Sequence, residues 1–242
     1  MGFRHLPASC WFILLLLAGA ALPLRAEESA EAIVRQMVKR DHELERHRAQ
    51  YTYTAGETRQ KLDTDGGIVS SEYREERIRG DKSPDYGTRD ERSQSLAGDA
   101  KQASREEPFS ILNIISHYNF KRAGDAVVNG VPCYRISFSP KEDQPFRSRE
   151  EKVANGLSGF LWIARTDYTL VRNVGKLTKP VSVAWFVATL REMEFSFDAA
   201  PLPNGELGPS RIEYRFRVQV PFSQIHERHI RVMKDYTLKH DE

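Results

Sequence analysis

The chain has 242 residues, a formal charge of +2 and two cysteines, Cys10 and Cys133. Its 36 Lys and Arg nearly balance 34 Asp and Glu, which gives no case for nucleic acid, a partner that wants a clustered cationic face. The length suits one sizeable domain, and two cysteines cannot build a disulfide framework.

Arg4 heads an apolar run from Cys10 to Leu22, which Pro23 breaks, and Leu24, Arg25 and the small Ala26 precede acidic Glu27. This is the basic, apolar and small-residue order of a secretory signal peptide. The run is short of the roughly 20 residues that span a bilayer. Residues 1–26 are therefore expected to be removed on export to a periplasm, taking Arg4 and Arg25 with them. The remaining chain is then neutral, with Cys133 as its lone cysteine, and 27–242 is expected to form a single domain.

The stretch from Glu28 to Gln50 is rich in helix formers and free of Gly and Pro. Ser29 is placed to cap it, and Ile33, Val34, Met37, Val38 and Leu44 form a stripe that should pack on a sheet. His42 and His47 are five apart, about 140° around a helix, so they cannot chelate a metal from one face. They are expected on a solvated surface.

From Tyr51 the period changes. Tyr51 and Tyr53 share a strand face, and Thr64–Gly67 (TDGG) reads as the turn of a charged hairpin. Residues 81–107 are polar and read as an exposed loop. After Pro108, the residues Phe109, Leu112, Ile115 and Tyr118 recur every three, as in a short apolar helix.

Beyond Gly124 the chain is β-rich. Asn129–Gly130 is a tight turn, after which Tyr134, Ile136 and Phe138 alternate with Arg135 and Ser137. Cys133 reads as a small, partly buried strand residue. A polar excursion covers 141–155. Phe160, Leu161, Trp162 and Ile163 then make a strand apolar on both faces. Residues 181–200 read as one bent strand or two, with a helical turn possible near Trp185–Leu190. After a Pro/Gly loop, Ile212, Tyr214, Phe216, Val218 and Val220 alternate strictly with polar residues. Ile230, Val232, Tyr236 and Leu238 share the face of a last strand. About seven strands with short connections imply an antiparallel sheet.

No catalytic motif is present, so neither an enzyme nor a cofactor is expected. His226 and His229 are three apart on a strand; they should face opposite ways and be exposed. The informative feature is the number of large rings for a single sheet, which points to a ligand space.

The motifs VVNGVPCYRISFSP and LSGFLWIARTDYTLVRNVGKL, behind an exported helix ending AQYTYTAGE and before PSRIEYRFRV, resemble the LolA/LolB-like superfamily and its outer membrane lipoprotein-sorting relatives. Gly159, Trp162 and Ile163 match a hairpin of those proteins, while Ala164 stands where Asp is common and Asp167 follows three residues later. The resemblance implies an α+β fold: a single, strongly curved antiparallel β-sheet, or unclosed β-barrel, with helices on its concave side. It also implies an exported protein that holds a lipid or lipoprotein acyl chain in a hydrophobic cavity, with a part in lipoprotein sorting. The expected cavity residues are Tyr53, Phe109, Leu112, Ile115, Phe138, Phe160, Trp162, Trp185, Phe197 and Phe216, with the helix from Phe109 to Ile115 as a lid. The alternative is a cell-envelope interaction or regulatory module with a filled core. A third class, a hydrolase, would need a buried His hydrogen-bonded to a carboxylate in a cleft.

Overall fold

A computed structural model of the chain describes residues 28–79, 115–146, 149–184 and 188–239. The expected signal segment, the polar loop at 81–107, Phe109, Leu112 and Trp185 lie outside them.

Helix α1 spans Ala30–Arg48, and Ser29 Oγ accepts the Ala32 N–H at 3.2 Å, so the cap is where the sequence puts it. Arg46, His47 and Arg48 fill the last turn, where cations complement the helix dipole. Ten strands follow: β1 (Tyr51–Leu62), β2 (Ile68–Arg79), β3 (Tyr118–Val128), β4 (Val131–Pro140), β5 (Leu157–Ala164), β6 (Leu170–Leu177), β7 (Val181–Ala184), β8 (Ala188–Pro201), β9 (Leu207–Val220) and β10 (Ser223–Leu238). They form one antiparallel sheet in the order β2-β1-β10-β9-β8-β6-β5-β4-β3, with β7 beside β8. β2 and β3 end the order without pairing to each other, so the curved sheet stays open.

Eight strands follow residue 115, against about seven expected, and 181–200 resolves into β7 and β8 rather than one bent strand. Residues 188–190, within the stretch read as a possible helical turn, are strand. A short helix, α2 (Arg149–Ala154), falls inside the polar excursion. Six residues are too few to show a helical period. It is held from outside instead: the Tyr118 hydroxyl donates to the Ala154 carbonyl and Lys152 Nζ donates to Ser182 O at 2.8 Å.

The register sorts residues into two faces. On the helix face, Ile33, Val34, Met37 and Val38 of α1 pack against Phe120, Ile136, Phe138, Leu161 and Ile163. Ile33, Ile136 and Ile163 are fully buried, and each contributes on the order of 1.5–3 kcal/mol. On the far face, a smaller cluster joins Val128, Cys133, Ala164 and Val171 beneath Trp162 and Leu207. This accounts for the doubly apolar β5: Leu161 and Ile163 serve the first core, while Phe160 and Trp162 point the other way. Asn129 and Gly130 have φ of 52° and 81°, the left-handed pair that a two-residue hairpin demands.

Candidate ligand-binding hollow

The tip of the β1–β2 hairpin bends over the far face. Asp63 Oδ1 accepts the N–H of Asp65 at 2.9 Å and of Gly67 at 2.7 Å, which closes the turn. Gly66 has φ of 88°, so the backbone favours glycine, and a Cβ there would stand 2.8 Å from Arg215 Nη2, the movable end of that side chain. The tip is fastened at two points. His226 Nδ1–H donates to the Asp63 carbonyl at 2.7 Å, and Arg217 Nη2 donates to Thr64 O at 3.3 Å.

Beneath this overhang lies a hollow of about 790 Å³, bounded by Leu62, Gly66 and Ile68 of the hairpin and by one face of six strands. One register row supplies Ser137, Phe160, Val174, Ser196 and Glu213; another supplies Ser158, Lys176, Glu194, Arg215 and Arg228. Between the rows run Phe138, Gly159, Gly175 and Phe195, themselves register partners. A Cβ on Gly159 would be 1.9 Å from Val174 O, and one on Gly175 would be 2.5 Å from the Phe195 ring. The Phe138 ring reaches across both glycines from the helix face.

The hollow is apolar at Leu62, Ile68, Phe160 and Val174 and charged toward β8–β10. Glu213 accepts from Arg228 Nε at 2.7 Å and Arg211 Nη2 at 2.8 Å. Burial would raise its pKa, but these two arginines outweigh burial and hold it below the usual carboxylate range. Arg215 Nε donates to His226 Nε2 at 3.0 Å. At the other end, the Arg135 guanidinium lies 4.2 Å from the Phe160 ring centre and 5.7 Å from that of Trp162.

The expected cavity residues divide between the faces. Phe160 lines the hollow, Phe138 contributes to its floor, and Trp162 stands on the same face, 6.0 Å from Phe160 between ring centres. Ile115 packs on the α1 core. Tyr53 joins Ala55 and Met233 in a third cluster. Phe197 and Phe216 are in register with helix-face residues, across the sheet from the hollow. The sequence reading missed Val174, Arg215, the glycine pair and the hairpin tip. The strand alternation carried some signal for Val174 and Arg215, but the fold of the tip over β9 leaves none.

His226 and His229 face opposite ways, as parity requires, but both are buried, at 6% and 7% exposure. His226 lies under the hairpin tip. His229 stacks on Tyr214 and lies tilted beside Phe216, with ring centres 4.8 and 5.7 Å away. Its Nε2 is 2.8 Å from Glu227 Oε2 and its Nδ1 is 3.1 Å from the Tyr214 hydroxyl. Arg59 grips both Glu227 oxygens, at 3.0 and 3.1 Å. Burial would raise the Glu227 pKa; hydrogen bonds from His229 and Arg59 overcome this and lower it. This is the buried His–carboxylate pair that a hydrolase would need. Every nitrogen of His229 and both oxygens of Glu227 are nevertheless engaged, and the pair lies on the helix face, away from the hollow. Its role is to lock β1, β10 and β9 together.

His47 of α1 is partly exposed as expected, and its Nδ1 sits 3.1 Å from Glu206 in the β8–β9 turn. Among the described residues no His, Cys, Asp and Glu gather as a metal site, and no helix is long and apolar enough to cross a membrane.

No family model and no curated protein matches the chain. Solved structures do align with it. A DUF1329 family protein from Desulfovibrio piger is 11% identical, covering 89% of this chain and 95% of that one, with a TM-score of 0.37. A LolA superfamily protein from Nitrosomonas europaea is 11% identical over 89% and 96%, with a TM-score of 0.33. A putative outer membrane lipoprotein-sorting protein domain from Vibrio parahaemolyticus is 10% identical over 86% and 94%, with a TM-score of 0.32. Likenesses this distant say nothing of function.

Proposed function

We propose that the chain is an exported, non-enzymatic protein that holds a lipid or lipoprotein acyl chain in the far-face hollow. The observation that supports this reading is the hollow itself: about 790 Å³, with the apolar Phe160 and Val174 on β5 and β6, Leu62 and Ile68 on the hairpin, and Lys176, Arg215 and Arg228 along one register row. That volume falls in the ligand-pocket range, and an apolar floor with a few charges suits an amphiphile. The alkyl chain lies over Val174 and the bare Gly159–Gly175 backbone, each buried CH₂ adding about 0.8 kcal/mol. Its polar end faces Arg215 and Lys176.

Titration with a fluorescent fatty acid, and native mass spectrometry of protein recovered from membranes, test this. Saturable uptake is expected from the parent protein, with at least a tenfold loss in Val174→Asp. Ligand-free recovery together with no uptake would remove the proposal.

A further inference from the structure

Among the described residues β2 pairs with β1 alone and forms one margin of the sheet. It runs for twelve residues, and Ile68, Val69 and Tyr73 on it are 58%, 68% and 63% exposed. A long edge strand with exposed apolar residues recruits another strand unless something guards it. Charged side chains are one such guard, and β2 carries Glu72, Glu75 and Glu76 interleaved with Arg74, Arg77 and Arg79, so only a strand that matches these signs can pair with it.

A second copy of β2 can pair antiparallel about a two-fold axis normal to the sheet. Residues opposite each other then share a face, so the axis passes through a residue that faces its own copy. Axes at Glu72, Arg74 or Glu75 oppose like charges, which destabilises the pairing. The axis at Tyr73 does not. Glu72 then faces Arg74 of the second copy, and Arg74 faces Glu72; Ser71 meets Glu75, Ser70 meets Glu76, and Val69 meets Arg77. The β1–β2 register shifts beside Ile68, which turns with Leu62 toward the hollow and so stands outside this ladder.

We infer that β2 is a homodimer edge, joining two copies through a β2–β2 ladder centred on Tyr73 into one continuous sheet. The occupant is a second copy because the charge order is complementary to itself in this register.

Sedimentation equilibrium on the full chain measures the association, and Ser70→Cys/Glu76→Cys reads the register. Dimer is expected, with a covalent dimer on mild oxidation of the double variant and little from either single variant. Glu72→Arg opposes arginine to arginine twice and should raise the dimer dissociation constant about tenfold. A monomer at all concentrations up to about 100 µM would overturn the inference. So would a dimer indifferent to Glu72→Arg, or single-cysteine variants that cross-link as well as the pair.

Discussion

His226 donates from Nδ1 to the carbonyl of Asp63 at 2.7 Å while accepting at Nε2 from Arg215 at 3.0 Å. A carbonyl can only accept and a guanidinium can only donate, so these two bonds fix a neutral imidazole with its proton on Nδ1. One buried ring thus ties the hairpin tip to the cation at the mouth of the hollow. His226→Phe keeps the volume and loses both bonds. The expected result is a folded protein whose Gly67 and Asp63 amides exchange faster and whose affinity for a fluorescent fatty acid falls several-fold. Unchanged exchange at the tip would mean that Arg217 alone holds it.

Much of the fold is legible in the sequence because it rests on local chemistry. Ser29, the stripe of α1, the Asn129–Gly130 turn and the alternation of β4 and β9 each obey a rule that spans a few residues. The expected shared face of Ile230, Val232, Tyr236 and Leu238 on β10 fails: Glu227, His229 and Met233 are buried instead, Val232 and Leu238 are exposed, and Asp235 at φ 55° interrupts the alternation. The doubly apolar β5 also reads correctly, since side-chain parity alone forces Phe160 and Leu161 apart. The site is less legible. Whether Phe197 and Phe216 share a face with Phe160 depends on the register across β5, β6, β8 and β9, and no single strand encodes it. The fold-back of the hairpin tip depends on Asp63, Arg217 and His226, which are far apart in sequence and individually ordinary. The buried histidines have the same cause: each is covered by residues from other strands.

The Gly159–Gly175 pair allows a specific test of the floor. Ala at 159 would place Cβ 1.9 Å from Val174 O, a backbone atom that cannot swing aside as a side chain could. Gly159→Ala should therefore destabilise by about 1–3 kcal/mol, the usual cost of overpacking, although alanine is no worse than glycine in an unconstrained strand. Chemical denaturation gives the value. Gly205, with φ of 84° and open space around it, is the control for backbone strain without a clash.

The N-cap of α1 offers a smaller and cleaner effect. Ser29→Ala removes the acceptor of the Ala32 N–H and should cost about 0.5–2 kcal/mol. Ser29→Asp retains an acceptor and adds a charge favourable to the helix dipole, so it should restore the loss. The two variants compared by thermal unfolding separate the cap from any effect of mere truncation.

The Glu227 cluster should dominate the acid limb of stability. Glu57, Glu213 and Glu227 all have pKa values below the ordinary carboxylate range, because the arginines and His229 around them outweigh burial. A carboxyl with a depressed folded-state pKa binds its proton more readily when the chain is unfolded. Its contribution is complete above the unfolded value, about 4.3, and is lost as the pH falls through the folded value. The unfolding midpoint should thus vary little with these groups near neutrality and drop steeply below about pH 4.3. Glu227→Gln leaves the half-exposed Arg59 and the buried His229 beside a neutral amide, so the variant should be less stable at pH 7 and should show a shallower acid limb. Thermal melts from pH 7 to pH 3 measure both. An acid limb as steep as that of the parent would show that Glu227 is not among the groups that set it.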